Sequence, residues 1–295
     1  MKRKYILMGV AILSSVVAGA QDITDSIARK TQAVSTISAD EISKNATPNV
    51  SNTLYGLLPG LSVMQQTGWT DDAATLLRGY NNPLIVVDGF ARPLSYLNTA
   101  EIESVTVLKD GAATAVWGTR GANGVILITT KRGEYNTKMQ IDASYKFGMD
   151  FPINQPKFAN GYEYASALNE ALYYDGLEPQ YTREELDAFR NGSNRDLYAD
   201  TDWMKEGLRK HTINNQLDIS FHGGGKRLRY FTLLSYKNDY GILNETYAKY
   251  SDRYTAQMRK YELGLRMNID VDITPTTLAQ FSICLLYTSD AADEA

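Results

Sequence analysis

The residues able to do chemistry in this chain are few, and their spacing rules out most of the familiar kinds. His211 and His222 are its two imidazoles. They stand at opposite ends of one strand-like run, and strand rise keeps such positions too far apart for one metal ion. Gly223-Gly-Gly-Lys226 lacks both the spacing of a phosphate-binding loop and its trailing Ser/Thr, so it reads as a turn. Gly118-Thr-Arg-Gly-Ala-Asn-Gly124 is glycine-rich but precedes a strand-like run, whereas a dinucleotide fingerprint follows a strand and opens a helix. Its glycines instead suggest tight backbone geometry. No GxSxG, HExxH or paired-cysteine pattern exists. The carboxylates offer many acid–base pairs, as a glycosidase would need, and single out none. The expectation is a non-enzymatic chain with no cofactor and no metal.

The composition narrows the partners. Net charge is −4 with a pI near 5.4, so there is no basic footprint for nucleic acid. Tyrosine is abundant at 20 residues, against 8 Phe and 3 Trp, which suits interfaces where one end of the ring stays wet. At the N-terminus, Lys2-Arg3-Lys4 is followed by the apolar stretch Tyr5 to Val17 and by Ala18-Gly19-Ala20. That order predicts a secretory signal at 1–20, cleaved after Ala20. No later apolar run reaches the length of a spanning helix. At the other end, residues 284–295 resemble a translated sequencing adaptor, which would set aside Cys284, the only cysteine.

The elements that would position a site fall into two styles. Residues 21–30 are polar and unpatterned, and read as a flexible leader. From 31 to 133, short strands and short helices mix. Strands are expected at 31–37, 61–64, 84–87, 104–108 and 125–130. Ser38-Ala-Asp-Glu41 reads as a capping box and Thr47-Pro48 as a helix start ahead of Val50, Leu54 and Leu57. Asp88-Gly89 reads as a turn, and Asp110 as the cap of a helix at 112–117 ended by Gly118. The result is a compact α+β domain over 31–133.

After Gly133 the pattern changes to long period-two alternation, at 139–149, 212–222, 228–236 and 261–273, with a further strand starting near Ala279. The run 261–273 is the cleanest. Tyr261, Leu263, Leu265, Met267, Ile269, Val271 and Ile273 alternate with Glu262, Gly264, Arg266, Asn268, Asp270 and Asp272. Such strands suit a transmembrane barrel wall or a soluble sandwich alike. Connection lengths favour the barrel. The turns at 223–227 and 274–275 are short and the connections 150–211 and 237–260 are long, as in outer-membrane barrels. The segment 150–211 carries two helical patterns, Tyr162–Tyr174 and one opened by the Thr182-x-x-Glu185 box and closed at Gly192.

The segment Ile102–Gly133, with Leu84-Ile-Val-Val-Asp-Gly-Phe90 upstream, resembles the plug domain of SusC-like TonB-dependent outer-membrane receptors. Leu76-Leu-Arg-Gly79 resembles another plug element, and Tyr198-Ala-Asp-Thr-Asp-Trp203 an acidic-Trp segment of the family. Lys109-Asp-Gly-Ala-Ala departs from the family's usual Asp-Ala-Ser-Ala-Ala, and Gly121 fills a slot often held by Ala. The resemblance implies an α+β plug (31–133) followed by the first antiparallel strands of the barrel (134–283). In the full-length protein, that barrel would be one of about 22 strands with a plugged lumen. It further implies import of oligosaccharides or peptides, delivered by a SusD-like lipoprotein and energised by TonB, whose contact segment would fall in 21–30. Substrate contacts would be Trp69, Asp71, Asp72, Tyr80, Asn81, Asn82 and Trp203, since aromatic faces stack on sugars and amides or carboxylates meet hydroxyls. Ordinary loop residues are the plainer alternative for each. Arg78, Asp88, Gly89, Lys109, Asp110, Gly118, Arg120, Gly121, Asn123 and Gly124 would be structural. The rivals are a receptor for siderophores or cobalamin and a soluble, secreted β-rich binding module.

Overall fold

The computed structural model describes residues 13–15, 33–44, 49–65, 73–153, 155–244, 246 and 258–290. The leader 21–30, Thr47-Pro48, Trp69, Asp71 and Asp72 lie outside these residues. The chain divides into two compact units. One takes Met1–Phe147, Asn215–Asp239 and Tyr261–Ser289, and the other Gly148–Asn214, Tyr240–Lys260 and Asp290–Ala295.

Within the first unit, the strands are β1 (Leu13–Ser15), β2 (Val34–Ser38), β3 (Leu61–Met64), β4 (Ala74–Leu77), β5 (Tyr80–Asn81), β6 (Leu84–Val87), β7 (Phe90–Ala91), β8 (Ile102–Leu108) and β9 (Val125–Thr130). A five-stranded sheet has the order β2-β8-β9-β6-β7, with β6 and β9 parallel and the other pairs antiparallel. β3, β4 and β5 form a second, smaller sheet.

The unbroken apolar run of β6 is covered on both faces, as parallel pairing with β9 requires. Val87 joins one core cluster with Ile42, Leu54, Ile102, Val105 and Val107, and Val86 joins another with Leu108, Ala113 and Val125. In β8 a shift of register between Ile102 and Ser104 lets Ile102 share the core with Val105 and Val107, despite their odd spacing.

Helix expectations in this unit need correcting. Helix α1 (Ala39–Ser43) starts after Ser38, but Ser38 makes no side-chain cap bond. It is still the last residue of β2, its backbone paired with Ser104, so the strand directs its side chain. Helix α2 is only Val50–Thr53, with Asn49 at its N-cap position making no side-chain cap bond, and Leu57 lies in the turn beyond it. Asp110 does cap helix α3 (Gly111–Thr114), accepting from the Ala113 N–H at 2.8 Å and from the Ala33 N–H at 2.6 Å. The helix does not end at Gly118. A 3-10 stretch runs Ala115–Gly121, and Gly118 (φ 55°, ψ −141°) kinks it in a conformation that side chains avoid.

The long strands are β10 (Thr137–Asp150), β11 (Thr212–Gly224), β12 (Leu228–Tyr240), β13 (Arg259–Thr274) and β14 (Thr277–Asp290). Their sheet has the order β1-β14-β13-β12-β11-β10. Consecutive strands are neighbours joined by turns at 225–227 and 275–276, the meander of an antiparallel wall. Each of the four expected runs lies within one of these strands. Residues 284–290 continue β14, and β1, within the expected signal segment, pairs with it antiparallel.

The second unit holds α4 (Gly161–Tyr174), α5 (Arg183–Asn191) and α6 (Trp203–Gly207). Both longer helices open on complete capping boxes, Asn160/Glu163 and Thr182/Glu185, and α5 ends at Gly192 in the left-handed conformation. Asn169 clamps Tyr181 by accepting from its N–H and donating to its carbonyl. Tyr181, Phe189 and Tyr198 then stack edge to face at 5.9 and 5.3 Å. The 150–211 connection therefore has structure of its own.

Candidate functional site

The first unit contains a seam between the plug sheet and the long strands. Its inner side chains on β13 are polar, while Phe231 and Leu233 of β12 are buried and apolar. On β13 the buried side chains are Arg266, Asn268 and Asp270, exposed by 4, 1 and 1 %. The alternate positions Leu263 and Ile273 are 51 and 60 % exposed. A charged face buried against protein, with an apolar face turned outward, inverts a soluble sheet and fits a wall with lipid outside and a plug inside.

The seam is built from the plug outward, beginning at the turn after β6. Asp88 sits at φ 48° and Gly89 at φ 89°, which turns the Asp88 carboxylate toward the end of β9. There it accepts from the Thr130 N–H at 3.0 Å and hydroxyl at 2.6 Å, and from the Arg266 guanidinium at 2.6 Å. Arg266 also donates to the Thr130 hydroxyl at 3.0 Å, and its Nε lies 3.6 Å from Glu101. Asn268 donates to the same hydroxyl at 3.0 Å and to the Lys131 carbonyl at 2.8 Å. Asp270 accepts from Arg132 and, at 2.8 Å, from Arg229 of β12. The Tyr135 hydroxyl donates to Asp272 at 3.1 Å, with the Arg229 guanidinium 4.8 Å from its ring centroid.

A second knot forms at the 3-10 turn Thr99–Glu101. Glu101 accepts from the Asn98 N–H at 2.9 Å, closing a capping box. Asn98 donates to Asp218 of β11 at 2.7 Å, and Gln216 donates to Asp218 at 2.7 Å. Burial pushes the Glu101 carboxyl above its usual range, against the nearby Arg266 charge and the Asn98 N–H, which both act to lower it. Where the plug chain leaves β9, Gly133 runs against strand backbone. A Cβ there would stand 2.5 Å from the Gly223 oxygen, 2.6 Å from the Tyr230 nitrogen and closer still to the Tyr230 oxygen.

The expected contact residues separate into groups. Tyr80, Asn81 and Asn82 are all exposed, at the β5 edge and the turn into β6. Asn123 donates to the Asn81 carbonyl at 2.8 Å, and Arg120 lines the same shallow depression as Asn82. Trp203 belongs to the second unit, where it opens α6 and is exposed. Arg78 donates to the Lys109 carbonyl at 2.9 Å, and burial lowers the Lys109 ammonium below its ordinary value, helped by the Arg78 charge. Gly121 is packed by Thr114, and a Cβ on Gly124 (φ 91°) would overlap Leu77. The sequence reading missed Asn98, Glu101, Arg132, Gly133 and the partners Arg266, Asn268 and Asp270. The charged half of the 261–273 alternation was visible, but what it would face was not.

Residues 26–125 match the family model for the TonB-dependent receptor plug domain. The TonB-dependent receptor SusC of Bacteroides thetaiotaomicron is 32% identical over 263 residues, covering 81% of this chain and 24% of that protein. The chain belongs with the SusC-like TonB-dependent receptors. A second TonB-dependent receptor, from Formosa agariphila, is 29% identical over 256 residues, covering 81% of this chain and 25% of its own. Among solved structures, the RagAB peptide transporter superposes with a TM-score of 0.72 at 24% identity, covering 89% of this chain and 31% of that one. That likeness places the SusC-like plug and its first strands in the plugged-barrel fold. The chain spans about a quarter of the length of the curated relatives it matches. Among the described residues no group of His, Cys, Asp and Glu could hold a metal ion.

Proposed function

We propose that the full-length protein is an outer-membrane importer of oligosaccharides or peptides, energised through TonB and served by a SusD-like surface lipoprotein. The observation that carries this reading is the polar seam. A plug held in the wall by hydrogen bonds and ion pairs can be displaced into water with its polar groups re-solvated. A plug held by an apolar interface would instead expose hydrophobic surface on leaving. The oligosaccharide arm is what the resemblance to SusC-like receptors implies, and the likeness to the RagAB peptide transporter supports the peptide arm. On this reading the protein is not an enzyme, the signal is cleaved after Ala20, residues 21–30 hold the TonB-contacting segment, and the domains follow the boundaries 31–133 and 134–283. Substrate meets Tyr80, Asn81, Asn82 and Trp203, together with Trp69, Asp71 and Asp72.

The test is uptake of labelled oligosaccharides and peptides by cells carrying the full-length gene, with and without TonB and the SusD-like lipoprotein. Uptake that falls to background in both deletions is expected. Uptake that persists without TonB would overturn the reading.

A further inference from the structure

We propose that the second unit carries a binding cleft for acidic oligosaccharides, sugars bearing carboxylate or sulfate groups. The inference rests on the import reading above and narrows its substrate class. The cleft, of about 730 Å³, lies between residues 151, 152 and 155–158 on one side and the stretch from Asp202 to Lys210 on the other. Its charged lining is Lys157, Lys205, Arg209 and Lys210 against the single carboxylate of Asp202. In a chain of net charge −4 this is a local reversal of sign. The carboxylate is already engaged, because Asp202 accepts from the Met204 and Lys205 N–H groups, both at 3.1 Å, as the cap of α6. The ammonium groups of Lys157, Lys205 and Lys210 are exposed and make no ion pair among the described residues.

The wall that carries three of the four cations is fixed by backbone bonds. The Leu208 N–H donates to the Met204 carbonyl at 3.2 Å, the Arg209 N–H donates to the Ile242 carbonyl at 2.8 Å, and Leu208 bridges to Leu243. The opposite wall presents Phe151 and Phe158, 60 and 74 % exposed, with Phe151 tied to the His211 ring at 6.0 Å between centroids. Exposed aromatic faces beside the ammonium groups of Lys157, Lys205 and Lys210 match a ligand with apolar ring faces and anionic edges. A pyranose uronate or sulfate offers both on one unit. Cations placed on a fixed backbone lose less freedom on binding than cations on a mobile loop.

The test is calorimetric titration of the purified full-length receptor, freed of lipopolysaccharide, with tetragalacturonate, its fully methyl-esterified form and tetraglutamate. Tetragalacturonate is expected to bind at least about tenfold tighter than the neutral ester, with affinity falling as salt rises. The triple variant Lys157→Gln/Lys205→Gln/Lys210→Gln is expected to abolish that preference, with its melting temperature unchanged. Phe158→Ala is expected to weaken tetragalacturonate binding severalfold. Equal binding of acid and ester, or a preference for tetraglutamate, would overturn the inference. If TonB-dependent uptake persisted in that case, the import reading would stand alone. A charge preference retained by the triple variant would place the anion site elsewhere and also overturn it.

Discussion

The plug sheet and strand β13 share one unit and bury opposite chemistry. In the core of the plug sheet lie Leu54, Ile102, Val105, Val107 and Ile126, all fully buried and all aliphatic. On β13 the fully buried side chains are Asn268 and Asp270, and Leu263 is turned out. Both regions obey one rule, that each face matches its surroundings. The plug sheet has its helices and turns on either side, and the wall has the plug on one side. What joins β13 to the plug is therefore hydrogen bonding and charge, at little net gain per contact and at high cost for each partner removed.

The largest expected effect tests that asymmetry directly. Arg266→Met leaves Asp88 without its wall partner and takes from the buried Glu101 the stronger of its two cations, leaving Arg92. Removing one member of a buried ionic cluster costs about 3–5 kcal/mol, read as a lower unfolding midpoint of the full-length protein in detergent. Adding Glu101→Gln should recover part of that loss. A single-variant loss below about 1 kcal/mol would mean that water reaches the seam and the contrast with the plug core is false.

Next in size is the contact where the two regions touch by backbone alone. Gly133→Ala pushes a methyl group into the Tyr230 and Gly223 main chain, which cannot rotate away. A loss of about 1–3 kcal/mol is expected, with faster proteolysis of the plug, because the plug shifts from the wall while its own sheet stays intact. Gly124→Ala meets mainly the Leu77 side chain. Its cost should fall when Leu77→Ala is added, whereas no single side-chain deletion should rescue Gly133→Ala.

Much of the fold was legible in the sequence. β6 read as a buried strand from Leu84-Ile-Val-Val87, the Thr182/Glu185 box announced α5, and the alternation at 261–273 marked β13. The legible features are local, set by residues a few positions apart. Ser38 failed as a cap because strand pairing to Ser104, a long-range contact, decides its direction. The seam was hidden for the same reason. Asp88 and Arg266 are 178 positions apart, and no periodicity joins them. Tyr80, Asn81 and Asn82 were legible as a polar, aromatic turn, but Trp203 lies in a different unit from them.

A smaller effect separates the two regions by pH. The Glu101 carboxyl at the seam is raised above its ordinary pKa of 4.5, chiefly by burial. The folded protein holds that proton more tightly than the unfolded chain, so the associated stability is complete below pH 4.5. It is lost as pH rises through the raised value. Asp110, inside the plug, is lowered from 3.8 by the N–H groups of Ala33 and then Ala113. Its stabilisation is complete above pH 3.8 and is lost as pH falls through the lowered value. Unfolding midpoints measured against pH should show Glu101→Gln flattening the decline above pH 4.5 and Asp110→Asn flattening the acid limb. If both variants altered the same limb, seam and plug would share one electrostatic environment.

The smallest effect is expected on the outer face of the wall. Leu263 is about half exposed, so Leu263→Ala should cost about 1 kcal/mol or less in detergent, well under the full value of a buried leucine. Leu54→Ala in the plug core, where the side chain is fully buried, should cost about 2–5 kcal/mol. Leu263→Gln sharpens the point. On a soluble sandwich, a polar group at a half-exposed site is tolerated. On a wall facing lipid it strands an amide in hydrocarbon, so recovery in the outer-membrane fraction should fall while the protein in detergent keeps its midpoint. Equal recovery of the Gln variant and the parent would mean that the apolar face of β13 meets water, and the inverted wall would be an ordinary sheet.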